Sequence, residues 1–262
     1  MFSTKYNSNN EQFTLLISFK CEGKKTLRVW AEDFGKKNSK YVDRCVTVDG
    51  QRSVYFNFPV SPKNLFIGAI NINDIKDDDI EVTTIKTPLK DYNIWLDQNT
   101  KEFLDLCIPF SQACGFENAT PNGRLFSDDN GKFNIKFFDI IRDYATGKIL
   151  QTPARIGHKS GRIEVGKAAF DKYTIPMRVA ILLHEFSHVY KNPKTNLEIS
   201  NETGADINAL YIYLGLGFSK IDAITVYANV FLKAQTKGNV ERMRKIMDYI
   251  NKFEQEDFAY RK

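Results

Sequence analysis

The chain has 262 residues, 42% of them hydrophobic and 26% charged, with a formal net charge of +5. That balance fits one large or two modest folded domains and excludes a disordered polyelectrolyte. The basic residues are dispersed, the densest cluster being "RMRK" at 242–245, which reads as the solvated face of a helix, so nucleic acid is not expected as a partner.

Up to about residue 98 the chain alternates turn residues with short runs rich in β-branched and aromatic residues: "QFTLLISF", "TLRVWA", "RCVTV", "SVYFNF", "NLFIGAINI", "IEVTTIK" and "YNIWL". This spacing predicts an N-terminal β-sandwich over residues 1–98. Asp49 and Gly50, between "RCVTV" and "RSVYF", suit the positive φ angles of a two-residue hairpin turn. The opening "MFSTKYNSNNEQ" lacks the basic segment and apolar run of a secretory signal, and the longest apolar runs fall short of the about 18 residues a membrane span needs. No membrane contact is expected. The acidic run "DIKDDDIE" at 74–81 lacks the spacing of a calcium loop and reads as a surface loop. Residues 1–98 hold no histidine and no cluster of catalytic residue types, so their default role is binding or assembly, including contacts between copies of the chain.

A second domain is expected over residues 99–262. It starts with the helix "TKEFLDLCIPFSQAC", which Pro109 would bend or restart. A polar loop, the strand "FNIKFFDII", a turn at Thr146 and Gly147, and the extended pieces "PARIGH" and "GRIEVG" follow. From Tyr173 onward the pattern is helical. "PMRVAILLHEFSHVY" carries apolar residues at helical spacing with Pro176 in its first turn. Asn192 and Pro193 end it, a second helix covers about 199–216, Ser219 and Asp222 cap a third, "KIDAITVYANVFLKAQ", and a charged helix, "VERMRKIMDYINKFEQ", closes the chain. Cys21, Cys45, Cys107 and Cys114 form no CxxC pair and read as buried free thiols. The sequons at Asn118 and Asn201 matter only after secretion, for which nothing argues.

Two of the three histidines, His184 and His188, stand four apart around Glu185 in "HEFSH". On a helix this spacing puts both imidazoles on one face, where they can share one ion, and sets Glu185 beside that ion to take a proton from water. A catalytic zinc wants a third protein ligand. His158 is the only other histidine, so a carboxylate of the next helix is the natural source: "NETGAD" offers Glu202 and Asp206, again on one helical face. Glu202 can reach the ion while Asp206 holds the far nitrogen of a ligand imidazole, and Gly204 and Ala205 allow close helix approach.

"HEFSH" followed by "NETGAD" resembles the gluzincin branch of zinc metallopeptidases, over roughly residues 130–236. The resemblance implies an α+β, zincin-like domain of a small mixed sheet plus helices. It implies His184, His188 and Glu202 as Zn2+ ligands, Glu185 as general base, and Asp206 as the partner of His184. It also implies a polypeptide substrate bound along an edge strand before the catalytic helix, with "GRIEVG" the first candidate and "PARIGH" the second. Two departures stand out. Only 13 residues, 189 to 201, separate His188 from Glu202, which suggests a minimal domain. The downstream histidine that stabilises the transition state in the family is missing, leaving Tyr211, Tyr213, Tyr227 and His158 as candidates. The expected function is zinc-dependent peptide hydrolysis. The alternative is a structural or assembly protein of a bacteriophage particle, such as a neck or tail ring component carrying an active or relic peptidase-like domain. The bias to Lys, Asn, Ile, Phe and Tyr resembles that of AT-rich bacteria and their phages. A cytoplasmic or virion-associated location fits both. A regulator that binds DNA or a partner is a weaker third reading, because no helix-turn-helix or basic stripe stands out.

Overall fold

A computed structural model describes residues 1–74, 79–157, 159–190, 192, 202–232, 234 and 236–255. The chain is of mixed α+β class and divides into two compact units, Met1–Asp91 and Tyr92–Lys262. The first holds an antiparallel sheet, the second a small mixed sheet with helices, and neither sheet closes into a barrel among the described residues. No helix among them is long and apolar enough to cross a membrane.

In the first unit β1 (Phe2–Asn7), β2 (Phe13–Asp33), β3 (Lys40–Phe58) and β4 (Asn64–Asn71) lie in the order β1-β4-β2-β3. β3 takes one edge of β2, so β5 (Ile80–Pro88) and β4 share the other: β5 pairs with Phe13 to Cys21, β4 with Leu27 to Asp33. Every second residue is buried in each half of β2, Phe13, Leu15, Ile17 and Phe19 in the first and Leu27, Val29 and Ala31 in the second, as a strand with one face in a core requires. Between the two halves the register shifts: Lys20 pairs with Gln51 and Lys24 with Asp49, and Gly23 and Gly50 both take positive φ there. The sheet bends at this bulge. Tyr41 and Phe58, near opposite ends of β3, have ring centroids 6.4 Å apart, whereas a straight strand would part them by about 56 Å. One continuous sheet thus folds over its own apolar face.

Several expectations change. "QFTLLISF" with "TLRVWA", and "RCVTV" with "SVYFNF", are halves of two long strands, so Gly50 serves a bulge and Asp49-Gly50 is no hairpin turn. "YNIWL" forms no strand. Its residues begin the second unit, with the Ile94 side chain against Gly215 and the Trp95 carbonyl accepting from the Tyr211 hydroxyl at 3.1 Å. All four cysteines are free, yet only Cys107 and Cys114 are buried, Cys45 being exposed. The acidic run at 74–81 lies partly outside the described residues, as do Asn201, Pro193 and His158.

The second unit begins with α1 (Gln98–Ala113), capped by the Asp97 side chain and continuous through Pro109. β6 (Arg124–Ser127), β7 (Asn134–Phe138), β8 (Ala154–Ile156) and β9 (Ile163–Gly166) lie in the order β6-β7-β9-β8, with β7 and β9 parallel and the other neighbours antiparallel. "GRIEVG", as β9, is therefore paired on both edges and has no free edge for a substrate, whereas β8, from "PARIGH", is an edge strand. α2 (Lys167–Phe170), α3 (Ile175–Ser187), α4 (Glu202–Gly215), α5 (Lys220–Val226), a π turn (Tyr227–Phe231) and α6 (Lys237–Gln255) follow. The π turn replaces the second half of the single helix expected over "KIDAITVYANVFLKAQ". Ile135, Phe137, Ile163 and Val165 form the buried sheet face; Phe110 of α1 packs on Phe137, and Phe103 of α1 stacks on Phe186 of α3 at 4.3 Å. With every residue from Val179 to Ser187 buried, α3 is a central helix, which explains its apolar character all round.

Candidate metal centre

α3 and α4 bring the predicted ligands together. His184 lies in the last turn of α3 and His188 is its C-cap, while Glu202 opens α4. Asn208 of α4 fastens this geometry: its amide donates to the Ser187 hydroxyl at 2.9 Å and the Tyr190 carbonyl at 3.3 Å, and its oxygen accepts from the Asn192 N–H at 3.1 Å. The end of α3 that carries His188 is thereby tied to the helix that carries Glu202.

The two Nε2 atoms stand 3.1 Å apart, Glu202 Oε2 is 3.6 Å from His184 Nε2, and Glu202 Oε1 is 3.7 Å from His188 Nε2. Ligands about 2.05 Å from a tetrahedral ion are themselves about 3.3 Å apart, so the spacing and the donor set of two imidazoles and a carboxylate suit zinc. Among the described residues this is the one cluster of three such groups that could hold a metal ion. His184 is 2% exposed, whereas the Glu202 side chain is 57% exposed, so the centre opens to solvent on the Glu202 side.

Asp206, one turn after Glu202 and fully buried, places Oδ1 2.9 Å from His184 Nδ1, somewhat off the line of an ideal N–H bond. A carboxylate there favours the proton on Nδ1 and leaves the Nε2 lone pair for an ion. Glu185 is 7% exposed. Burial pushes its carboxyl above the usual carboxylate range and Glu202 adds to this, while His184 and a hydrogen bond from the Ile156 backbone N–H work against it. Ile156 belongs to the edge strand β8, so that strand runs beside the glutamate.

The three tyrosines are buried, and the Tyr227 ring lies 6.5 Å from that of His184, centroid to centroid. The Tyr211 hydroxyl donates to the Trp95 carbonyl and that of Tyr227 to the Asp206 carbonyl, both at 3.1 Å, and burial pushes the Tyr227 phenol well above its ordinary range. Tyr213 stacks on Phe218 and lies eleven residues, about 16 Å along the axis, from Glu202. His158 lies outside the described residues.

Two contacts escaped the sequence. The Phe231 ring of the π turn lies 3.9 Å from that of His184, centroid to centroid. Arg242, assigned to a solvated face, is instead 8% exposed and grips Asp206 with two nitrogens, whereas its neighbour Arg244 pairs with Glu241 and Asp248 on the surface. The signal was one of spacing: Arg242 stands four residues before Ile246 and eight before Ile250, both buried, and so shares the inward face of α6, whereas Arg244 does not. The Phe231 signal was faint, one aromatic residue in an amphipathic run.

Two cavities lie away from the cluster. One, of about 490 Å³, includes Phe138 and Glu164, whose side chains alternate with Phe137 and Val165 and so leave the sheet on the face away from α1 and α3. The other, of about 560 Å³, runs from Thr152 and Pro153, just before β8, to Asn229 and Val230 of the π turn. Comparison with protein-family models, with curated proteins and with solved structures finds no match to this chain.

Proposed function

We propose that the second unit is a zincin-like metallopeptidase domain of gluzincin type, binding Zn2+ through His184, His188 and Glu202 and hydrolysing peptide bonds. One observation carries this reading: the ligand atoms of those three residues converge within 4.8 Å of one another, with the buried Glu185 alongside. When bound, zinc would supply a Lewis acid that lowers the pKa of its water to about 7. Glu185 takes the proton released from that water and passes it to the leaving amine, a transfer for which a raised pKa suits a carboxylate. Asp206 keeps the His184 proton on Nδ1. The outer edge of β8 receives the substrate backbone as an added strand, and the cavity between Pro153 and Val230 lies at the start of that strand.

The test is metal analysis of the purified protein together with cleavage of a broad peptide library. About one zinc per chain with measurable cleavage is expected, and occupancy without turnover would reduce the site to a structural one. Glu202→Ala should weaken zinc retention by a factor of ten or more. Undiminished occupancy in that variant would assign the third ligand elsewhere.

A second reading assigns the first unit, as a β-sandwich formed by the folded-over sheet, to assembly, as in a phage neck or tail ring component. It is favoured by the outer edge of β3, 19 residues long, along which no strand pairs among the described residues. Native mass spectrometry of the full chain checks it: a single ring-sized oligomer supports it, and a monomer at all concentrations opposes it.

A further inference from the structure

Arg242 touches two of the three acidic residues of the candidate centre, Glu202 and Asp206. Its Nε bonds Asp206 Oδ2, its Nη2 bonds Asp206 Oδ1 at 2.7 Å, and the same Nη2 lies 3.0 Å from Glu202 Oε2. Burial opposes the charge on Arg242, but the Asp206 and Glu202 carboxylates outweigh it and hold the guanidinium above its ordinary pKa. One planar side chain on α6 therefore sets the orientation of a carboxylate facing His184 Nδ1 and of another facing both Nε2 atoms.

We propose that Arg242 is a positioning residue that makes α6 part of the metal centre, an inference that rests on the zinc reading above. It does two things. By forking onto Asp206 it fixes the plane of that carboxylate, and with it the tautomer and tilt of His184. By donating to Glu202 Oε2 it would favour Oε1 as the atom offered to an ion, so that Glu202 would bind through one oxygen rather than two. A lysine ammonium, as a point charge, cannot bridge two carboxylates in this planar way. The competing account is that Arg242 merely neutralises the buried Asp206 and staples α6 to α4. Removing it would then lower stability equally with and without metal.

The experiment uses the full chain, wild type beside Arg242→Lys and Arg242→Met. Zinc affinity is read by competition with a chromogenic chelator, melting temperature in metal-free and zinc-saturated protein, and coordination from the visible spectrum after cobalt(II) loading. Arg242→Lys keeps a cation beside Asp206, so its metal-free protein should melt close to wild type. Its zinc affinity should nonetheless fall 10- to 100-fold, the range typical for loss of a residue that orients ligands. The cobalt bands should weaken as Glu202 turns both oxygens to the ion. Arg242→Met should lose at least as much affinity, and if it does not fold, the lysine variant decides alone. Zinc affinity and cobalt spectrum unchanged in Arg242→Lys would overturn the proposal and leave the zinc reading standing. A wild-type chain that binds no zinc would overturn both.

Discussion

The two units bury different chemistry. The first spends its interior on apolar side chains such as Phe13, Leu15, Val29 and Phe58, and its strong ion pairs, such as Arg28 with Asp43, sit on the outer face. The second buries His184, Glu185, Asp206 and Arg242 among the helices that make its core. Buried charges are costly unless paired, and replacing them with well-packed apolar residues is often neutral or stabilising. Their concentration at the end of α3 is what the proposed metal site would account for. The folded-over sheet carries no such mark, and any role of its own must lie on its surface and edges.

The sharpest way to break that contrast is Glu185→Gln. The substitution removes a buried, partly desolvated carboxyl while keeping its shape, so the fold and zinc affinity should be retained or improved. Peptide hydrolysis should fall 10²- to 10⁴-fold, the usual contribution of a general base. Steady-state cleavage and metal analysis on the same preparation check it. Equal hydrolysis in the variant would mean that Glu185 is buried for packing alone, and the contrast between the units would lose its functional meaning.

How much of this contrast was written in the sequence depends on the distance over which each contact acts. His184, His188, Glu202 and Asp206 were legible because helical geometry turns a spacing of four into one face, and the structure brings all four together. Arg242 was harder to read, because its partner lies 36 residues away and it stands in a run of charges, although its spacing to Ile246 and Ile250 puts it on the buried face of α6. The strands were legible from their alternation, but pairing was not: nothing in "GRIEVG" or "PARIGH" says which will be central and which will end the sheet. Asp49-Gly50 shows the same limit. The positive φ it promises is present at Gly50, but in a bulge opposite Gly23, since a bent strand and a hairpin call for the same residue.

A milder perturbation asks whether the units are also mechanically separate. Gly68 of β4 lies opposite Trp30, and an added Cβ would fall 2.2 Å from the Trp30 ring; at Gly215 it would fall 2.3 Å from the Ile94 side chain. Alanine at either place gains about 0.5–1 kcal/mol in backbone terms. Overpacking costs about 1–3 kcal/mol, so each variant should lose about 1–2 kcal/mol net. The chain has two tryptophans, Trp30 in the first unit and Trp95 in the second. Gly68→Ala should shift the Trp30 emission and leave zinc affinity untouched, whereas Gly215→Ala disturbs the segment whose Trp95 carbonyl holds Tyr211. Coupled changes at both tryptophans in either variant would show one cooperative body.

The smallest effect is chemical, and it follows from the same division. Alkylation needs the thiolate and access to it. In the second unit burial pushes Cys114 up to about 11 and Cys107 higher still, and both thiols are enclosed between α1 and its neighbours. In the first unit Cys45 is exposed on β3 and Cys21 half-buried at the bulge. Native protein treated with iodoacetamide at pH 8 should therefore label Cys45 first and Cys21 more slowly, leaving Cys107 and Cys114 unmodified until the second unit unfolds. Mass spectrometry of the digested protein reads this directly. Because the thiols partition by unit, labelling along a denaturant series orders the two unfolding steps. Modification of Cys107 before the loss of zinc would mean that α1 opens while the α3 and α4 ligand cluster persists, contrary to the continuous core that joins Phe103 to Phe186.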